Sequence, residues 1–385
     1  MTACAVVGAG FAGLAAADAL ATAGIDITVF EARDRVGGRV HSRTLDNGAT
    51  VELGAEFILP PHELLRATAA RLGLSLYEKG TLYGDREPRP PVPRTALLAG
   101  IARLADARDG TIATALDALG LEQRVRDALL ARIEISTAYP ADDQPASVLA
   151  VSGAAFGDFP SHGIAGGNQR LAEALARNLR VELETPVHNV AWTDDGTRVH
   201  DVDFDACVIA VPATVVGEIA FDPPLPERKR RALASVRYGD AAKLFLPLAE
   251  PAAPSATLSV PNRFWAYTQW APDRSPLPVL AAFAGTRAGV ERLEPNAVRE
   301  LRPELAFAAA EPVLSTWHDD PWTRAAYSAR SVESPLDDAG VAKPVGRLAF
   351  AGEHTAGEWH ALMEGALRSG LRAAEDVVRS LRSEY

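Results

Sequence analysis

The first thirty-odd residues leave this chain few folds to choose from. Residues 4–32 read CAVVGAGFAGLAAADALATAGIDITVFEA. CAVV and DITVF are short β-branched runs, and between them an alanine-rich helix starts at a glycine turn and stops at Gly24. A strand, helix and strand in so few residues form a βαβ unit, which needs a parallel sheet covered by helices. Gly8, Gly10 and Gly13 fit G-x-G-x-x-G at the first turn. Gly8 permits the tight turn, Gly10 lets the backbone approach a pyrophosphate, and Gly13 lets helix pack close to strand. Phe11 and Ala12 open the helix, whose N-terminal N–H groups and dipole favour phosphate. Glu31 lies eighteen positions after Gly13, close to the usual spacing of about 20. It ends the second strand, ahead of Ala32 and Arg33, and its carboxylate can accept from both ribose hydroxyls. The first fold expectation is therefore an α/β, Rossmann-type dinucleotide-binding unit.

Gly37 and Gly38 place Arg39 in a loop just after the ribose-binding strand, where an arginine can neutralise pyrophosphate from the side opposite the helix. Asn47-Gly48 between alternating runs predicts a hairpin. PHELLRATAARLGL reads as a helix, and the proline-rich REPRPPVPR (residues 86–94) reads as a connector leaving the first domain. Helical patterns follow to about Ile135. Gly166-Gly167 then opens an amphipathic helix, and FDACVIAVPATVV is a buried strand. AAKLFLPL, RFWAYTQW and PVLAAFAG are strands, and GRLAFAGEHT is a last buried strand. It runs into a helix whose period is set by Leu367, Leu371, Ala374 and Val378. This predicts a discontinuous nucleotide-binding domain (residues 1–80, 160–222 and 335–385). An α+β substrate domain takes 81–159 and 223–334, helical over 94–150 and sheet over 236–330.

Composition narrows the partners. A net charge of −11 argues against nucleic acid as a partner. No apolar run is long enough to cross a bilayer, and the N-terminus has no signal-peptide pattern. Cys4 and Cys207 both sit in apolar strands and read as buried free thiols of a cytoplasmic protein. No Cys/His cluster has metal spacing, so no metal is expected. The sequence leaves the oligomeric state open.

Taken in order, VVGAGFAGLAAADAL…VFEARDRVGGR, LGAEF, GIAGGNQRLAEAL, VIAVP, AAYS and AGEHT…MEGALRSG resemble flavin-dependent amine oxidases of the monoamine and polyamine oxidase type. The resemblance runs over nearly the whole chain. It implies non-covalent FAD, a two-domain flavoprotein, and hydride transfer to flavin N5 from the carbon beside an amine nitrogen. The imine is then hydrolysed by water, and O2 reoxidises the flavin to give H2O2. Two other readings stay open: a desaturase or dehydrogenase acting on C–C bonds in a biosynthetic pathway, and a non-catalytic flavoprotein.

The resemblance also assigns residues. Besides the turn, Glu31 and the Gly37–Arg39 loop, it brings Gly54, Ala55, Glu56, Val187, Gly352 and Glu353 to the cofactor, with Glu353 at the ribityl hydroxyls. The helix at Met363-Glu364-Gly365-Ala366 would point its N-terminus at the flavin pyrimidine, so Leu362, Met363 and Ala366 join the set. Lys243, inside the apolar AAKLFLPL, matches the lysine that holds a water near N5; otherwise it is a strand lysine snorkelling at an edge. Tyr327 matches one aromatic wall of the cage before the flavin. The second wall departs from the pattern, because Leu362 stands there; Trp359, Trp317 and Trp265 are candidates to replace it. Ala326 occupies the position at which some mammalian members attach flavin through cysteine. Glu56 either receives a substrate ammonium or pairs with Arg39 or Arg43. Phe57 stands where some amino-acid oxidases place a carboxylate-binding arginine, a role Arg263 can otherwise take. The substrate is expected to be a small-molecule amine or amine-bearing intermediate.

Overall fold

A computed structural model describes residues 2–82, 84–151 and 159–382 of the chain. The predicted βαβ unit is present: strand Ala3–Val7, helix Phe11–Thr22, strand Asp26–Phe30. Ala23 closes the helix, and Gly24 follows at φ +83°. These strands lie inside a five-stranded parallel sheet, in the order Leu348–Phe350, Ala206–Ile209, Ala3–Val7, Asp26–Phe30, Arg180–Glu182. The three strands Leu348–Phe350, Ala206–Ile209 and Ala3–Val7 are nearly continuous apolar runs because both faces of the sheet are covered there, whereas the edge strand Arg180–Glu182 is mostly polar. One face packs on Phe11–Thr22 and on the final helix, Met363–Arg382. The other packs on residues of a four-stranded sheet, including Val190, Val199 and Phe204.

The first and last helices cross closely enough that small residues are required. A Cβ on Gly370 would sit 2.2 Å from the Ala12 carbonyl oxygen. The crossing fixes where the final helix begins.

The second large sheet has six strands, in the order Val313–Thr316, Ala242–Pro247, Val279–Ala284, Phe264–Thr268, Ser255–Ser259, Glu87–Arg89. All neighbours are antiparallel except the last pair. Lys243, Phe245, Trp265, Tyr267, Ala281 and Phe283 alternate onto one face, where most of them pack toward helix Gln123–Thr137 and its neighbours. Leu244, Leu246, Phe264, Ala266, Leu280 and Ala282 fill the other.

The proline-rich stretch 86–94 differs from its reading as a connector. Glu87–Arg89 is the edge strand of the six-stranded sheet, and Arg94 opens a helix. A strand can carry Pro88 because an edge needs N–H donors on one side only.

Candidate active site

A cavity of about 330 Å3 runs between the two large sheets. At one end lies the glycine turn. Gly8 has φ +103°, and a Cβ built on Gly10 meets nothing, so the backbone there borders open space. No side chain caps the Phe11–Thr22 helix, which leaves its first N–H groups facing the cavity that Gly10, Phe11 and Ala12 line. Gly13 does not line it. A Cβ there would stand 1.9 Å from the Gly8 carbonyl oxygen, so Gly13 serves the packing beneath the turn rather than a contact above it. Gly37 (φ +108°) docks its N–H on the Ala9 carbonyl at 2.8 Å and brings Gly38 and Arg39 to the same wall. The Glu31 carboxylate accepts from the Ala9 N–H (2.7 Å) and the Arg33 N–H (3.0 Å), which fixes it at the rim with Ala32, Arg33 and Val187.

Further along, Arg39 donates to Glu353 at 2.9 Å and to the Ala326 carbonyl at 2.5 Å. Glu353 also accepts from the Ser328 hydroxyl (2.5 Å) and the Ala361 N–H (2.7 Å). Burial alone would raise this carboxyl, but Arg39, His354, Ser328 and Ala361 hold it below the usual carboxylate range. Gly352, at φ +141°, precedes it and leaves no room for a Cβ beside the His354 ring. Ala361 and Leu362 then lead into the final helix. The Ala366 N–H bonds the Leu362 carbonyl, so the N–H groups just before it have no acceptor within the helix. Leu362, Met363 and Ala366 line the cavity, as do Gly54 and Ala55. Glu364 turns away: fully buried, it accepts from the Leu64 and Leu65 N–H groups and so caps helix Glu63–Arg71.

Lys243 is buried and lines the cavity. Its ammonium donates to the Glu56 carboxylate at 2.5 Å and to the Glu52 carbonyl at 2.9 Å. The sequence offered Glu56 as a substrate partner, or as the partner of Arg39 or Arg43. The structure pairs it with neither arginine, while it does line the cavity. Lys79 holds Oε1 at 3.1 Å, while Lys243 and the Tyr267 hydroxyl (2.6 Å) hold Oε2. Burial would raise the Glu56 carboxyl, yet the two lysines pull it down to about 2. Burial lowers the Lys243 ammonium against the attraction of Glu56, and raises the neighbouring Glu52 carboxyl. Lys243 is therefore no edge lysine. It is an interior ammonium with a weakened grip on its proton.

Tyr327 lines the cavity with its hydroxyl 3.3 Å from the Ser136 carbonyl. Leu362, Phe57, Trp265 and Trp317 line it too. Phe57 lies 5.8 Å from Trp265, which stacks on Tyr267 at 4.1 Å. Trp359 does not line the cavity, contrary to expectation; it packs under the Arg368 guanidinium at 4.5 Å. Arg263 is ion-paired to Glu134 and is not among the lining residues. Sequence reasoning missed Arg86, Ser136 and Phe283 in the wall, and Lys79 behind it. Phe283 had a usable signal, since alternation along PVLAAFAG puts it on the face of Ala281.

Glycine-cleared backbone, two helix N-termini, a clamped acid at each of two stations and a continuous cavity form a cradle for an extended dinucleotide. The family model described as flavin containing amine oxidoreductase matches residues 11–144 and 117–378. The chain belongs to this family. Putrescine oxidase of Kocuria rosea is 28% identical, over 97% of this chain and 94% of that protein. Flavin-containing amine oxidase B of Homo sapiens is 26% identical, over 98% and 86%. Among solved structures, putrescine oxidase bound to putrescine superposes with TM-score 0.84 at 24% identity, covering 98% of this chain and 99% of that one. Cyclohexylamine oxidase from Brevibacterium oxydans IH-35A gives 0.85 at 21%, covering 99% of each.

FAD is the cofactor of this flavin-containing amine oxidoreductase, and the cradle fits it. Glu31 would take the ribose hydroxyls, the two glycine loops and Arg39 the pyrophosphate, and Glu353 with the start of the final helix the flavin end. The two cysteines lie in paired strands of the parallel sheet, fully buried and away from the cavity. Burial raises the Cys4 thiol to about 12.

Proposed function

We propose that this protein oxidises a bulky amine at the carbon beside nitrogen, with O2 as the final acceptor. The observation that carries the reading is that one continuous cavity joins the FAD cradle to an aromatic-walled chamber with a buried lysine in its wall. FAD, when bound, would supply the acceptor for one hydride equivalent (two electrons and a proton), which O2 would take on with one further proton as H2O2; water then hydrolyses the imine. The chain's own work is positioning and charge. Tyr327 and Leu362 flank the substrate carbon, Phe57, Trp265 and Phe283 exclude water, and the amine enters neutral. Lys243 supplies positive charge and a transferable proton where O2 is reduced. Glu56 holds Lys243 in place and is not available to an incoming ammonium.

We assign residues 1–80, 160–222 and 335–385 to FAD binding and residues 81–159 and 223–334 to the substrate. We also place the protein in the cytoplasm, in keeping with its two reduced, buried thiols; no helix among the described residues is long and apolar enough to cross a membrane.

With one aromatic wall replaced by Leu362, a small amine is held poorly, and an error of about 1 Å costs ~100-fold in rate. Contacts remote from the reacting carbon must then supply orientation. A peroxide-coupled screen tests this. Bulky secondary or cyclic amines should outperform benzylamine, and Leu362→Tyr should favour benzylamine. Wild-type turnover of benzylamine at ~10^4 M^-1 s^-1 or above would refute the substrate class.

A further inference from the structure

Three strands deliver polar side chains to one buried carboxylate, that of Glu56. Lys243 comes from Ala242–Pro247, Tyr267 from Phe264–Thr268, and Lys79 from Leu76–Leu82, a strand paired with Pro160–Ile164. Lys243 and the Tyr267 hydroxyl share Oε2, and Lys79 takes Oε1 at 3.1 Å. All of these residues are buried. Lys79 also donates to the Gln269 side chain at 3.4 Å. A Cβ on Gly163, in the paired strand, would stand 2.7 Å from Lys79 Cε, so a glycine makes room for its stem. Lys243 and Glu56 line the main cavity, whereas Lys79 does not; it lines a second, small cavity that also borders Glu56. Lys79 is therefore out of reach of flavin, amine and O2 in the main cavity, and it acts there through Glu56.

What Lys79 brings is charge. Two buried ammonium groups on one carboxylate repel each other while each depends on it. Burial works against the Lys79 ammonium, but Glu56, Tyr77 and Glu52 raise its pKa, so it stays protonated. At Lys243 burial prevails over the pull of Glu56 and Glu52, and Lys79 adds to the lowering. Glu52 turns its carboxylate to the Asn168 N–H (2.8 Å) and the Ser42 hydroxyl (2.7 Å), and gives Lys243 only its backbone carbonyl. Arg86 is a further cation near the Tyr267 hydroxyl. On the neighbouring strands Lys243 is flanked by Ser315 and Phe283, which carry no charge. An ammonium alone on Glu56 would hold its proton tightly. Sharing the carboxylate with a second cation makes the Lys243 proton the looser one.

We propose that Lys79 is a positioning residue for the oxygen half of the reaction: by binding the far oxygen of Glu56 it weakens the hold of Glu56 on Lys243 and leaves the group with net positive charge. In that step O2 takes two electrons and one proton from the reduced cofactor. Lys243 gives the second proton, its N–H bond breaking as an O–H bond of H2O2 forms, and the neutral amine recovers a proton from water. This deepens the amine oxidation reading and rests on its assignment of Lys243 to the oxygen step.

The test uses the FAD-loaded protein with its flavin reduced by light, so it needs no substrate and is separate from the amine screen. The reduced protein is mixed with O2 across a range of pH. In wild type, reoxidation should slow as pH rises and Lys243 loses its proton. Lys79→Met removes the like charge, so the fall should move up by about one pH unit or more, and the rate below it should drop several-fold. Glu56→Gln removes the anion, so the fall should move down. Lys79→Arg keeps the charge and should keep the wild-type profile. The midpoint potential of bound FAD, read without turnover, should drop in Lys79→Met and hold in Lys79→Arg. If Glu56→Gln fails to fold, the two Lys79 variants decide. An unmoved profile in Lys79→Met, or an equal shift in Lys79→Arg, would overturn the inference while leaving amine oxidation standing. A Lys243→Met variant that reoxidises like wild type would overturn both the inference and the oxygen role of Lys243.

Discussion

Lys243 shows how much one residue can carry. A lysine inside an apolar strand stands out in the sequence, but what holds it does not. Glu56 is 187 positions away, and only the folded sheet brings them to 2.5 Å. That distance in sequence is also why Glu56 was expected to have other partners. Arg86 was hidden differently, because a charge beside prolines looks like a solvated connector. Lys243→Met should slow flavin reoxidation by O2 at least tenfold more than anaerobic reduction by an amine, as stopped-flow traces of the two half-reactions would show. Equal effects would reduce Lys243 to a structural role. The place of Glu31 beside the glycine turn, by contrast, was readable from spacing alone, since the βαβ unit brings the end of its second strand there. Glu31→Ala should weaken FAD binding by ~1–3 kcal/mol, through loss of charge-assisted bonds. Equilibrium dialysis of FAD against the variant would measure it.

At the scale of elements, periodic and glycine-marked segments were readable. The βαβ unit, the Asn47-Gly48 hairpin and the final helix all form where local pattern puts them, because each is specified by neighbours in sequence. The edge strand Glu87–Arg89 was not, since it exists only by pairing with Ser255–Ser259. Trp359 misled for a similar reason: proximity to the Met363 segment said nothing about which way the loop turned. The final helix depends on two devices that a helical period does not reveal. Gly370 lets it touch the first helix, and Glu364 caps a third. Gly370→Val should destabilise the protein by ~1–3 kcal/mol, because the obstacle is a backbone carbonyl that cannot step aside. Glu364→Ala leaves two N–H groups of helix Glu63–Arg71 without their acceptor and should cost about 1–3 kcal/mol. Urea unfolding at fixed FAD concentration checks both, and a shift in midpoint without a change in slope is the expected form.

For the whole molecule, the cavity is a product of topology. Its walls come from residues as far apart as Gly8 and Ala366, brought together by the parallel sheet, the antiparallel sheet and the last helix. Composition could say only what does not enter it. The same assembly buries two histidines in neutral form. Burial pushes His62 and His354 from 6.5 down to about 4, in each case against the pull of a nearby glutamate. The unfolded chain binds these protons more tightly than the folded one. Their contribution to stability is therefore complete above about pH 6.5 and is lost as pH falls toward 4. The Tm of the holoprotein should decline over that window, and His354→Gln should flatten the decline. A Tm independent of pH there would place both histidines in a less buried state than the structure gives them.

The central claim is that this fold passes electrons from an amine to O2 through non-covalent FAD. The most direct measurement is one cycle on purified yellow protein: anaerobic addition of an amine that the screen selects, then air, then acid precipitation. The account predicts that the yellow colour bleaches under amine and returns in air with one H2O2 per amine consumed. On precipitation, the colour should leave with the supernatant, because Ala326 offers no thiol to the flavin. A flavin that no amine bleaches, or one that stays with the pellet, would contradict it.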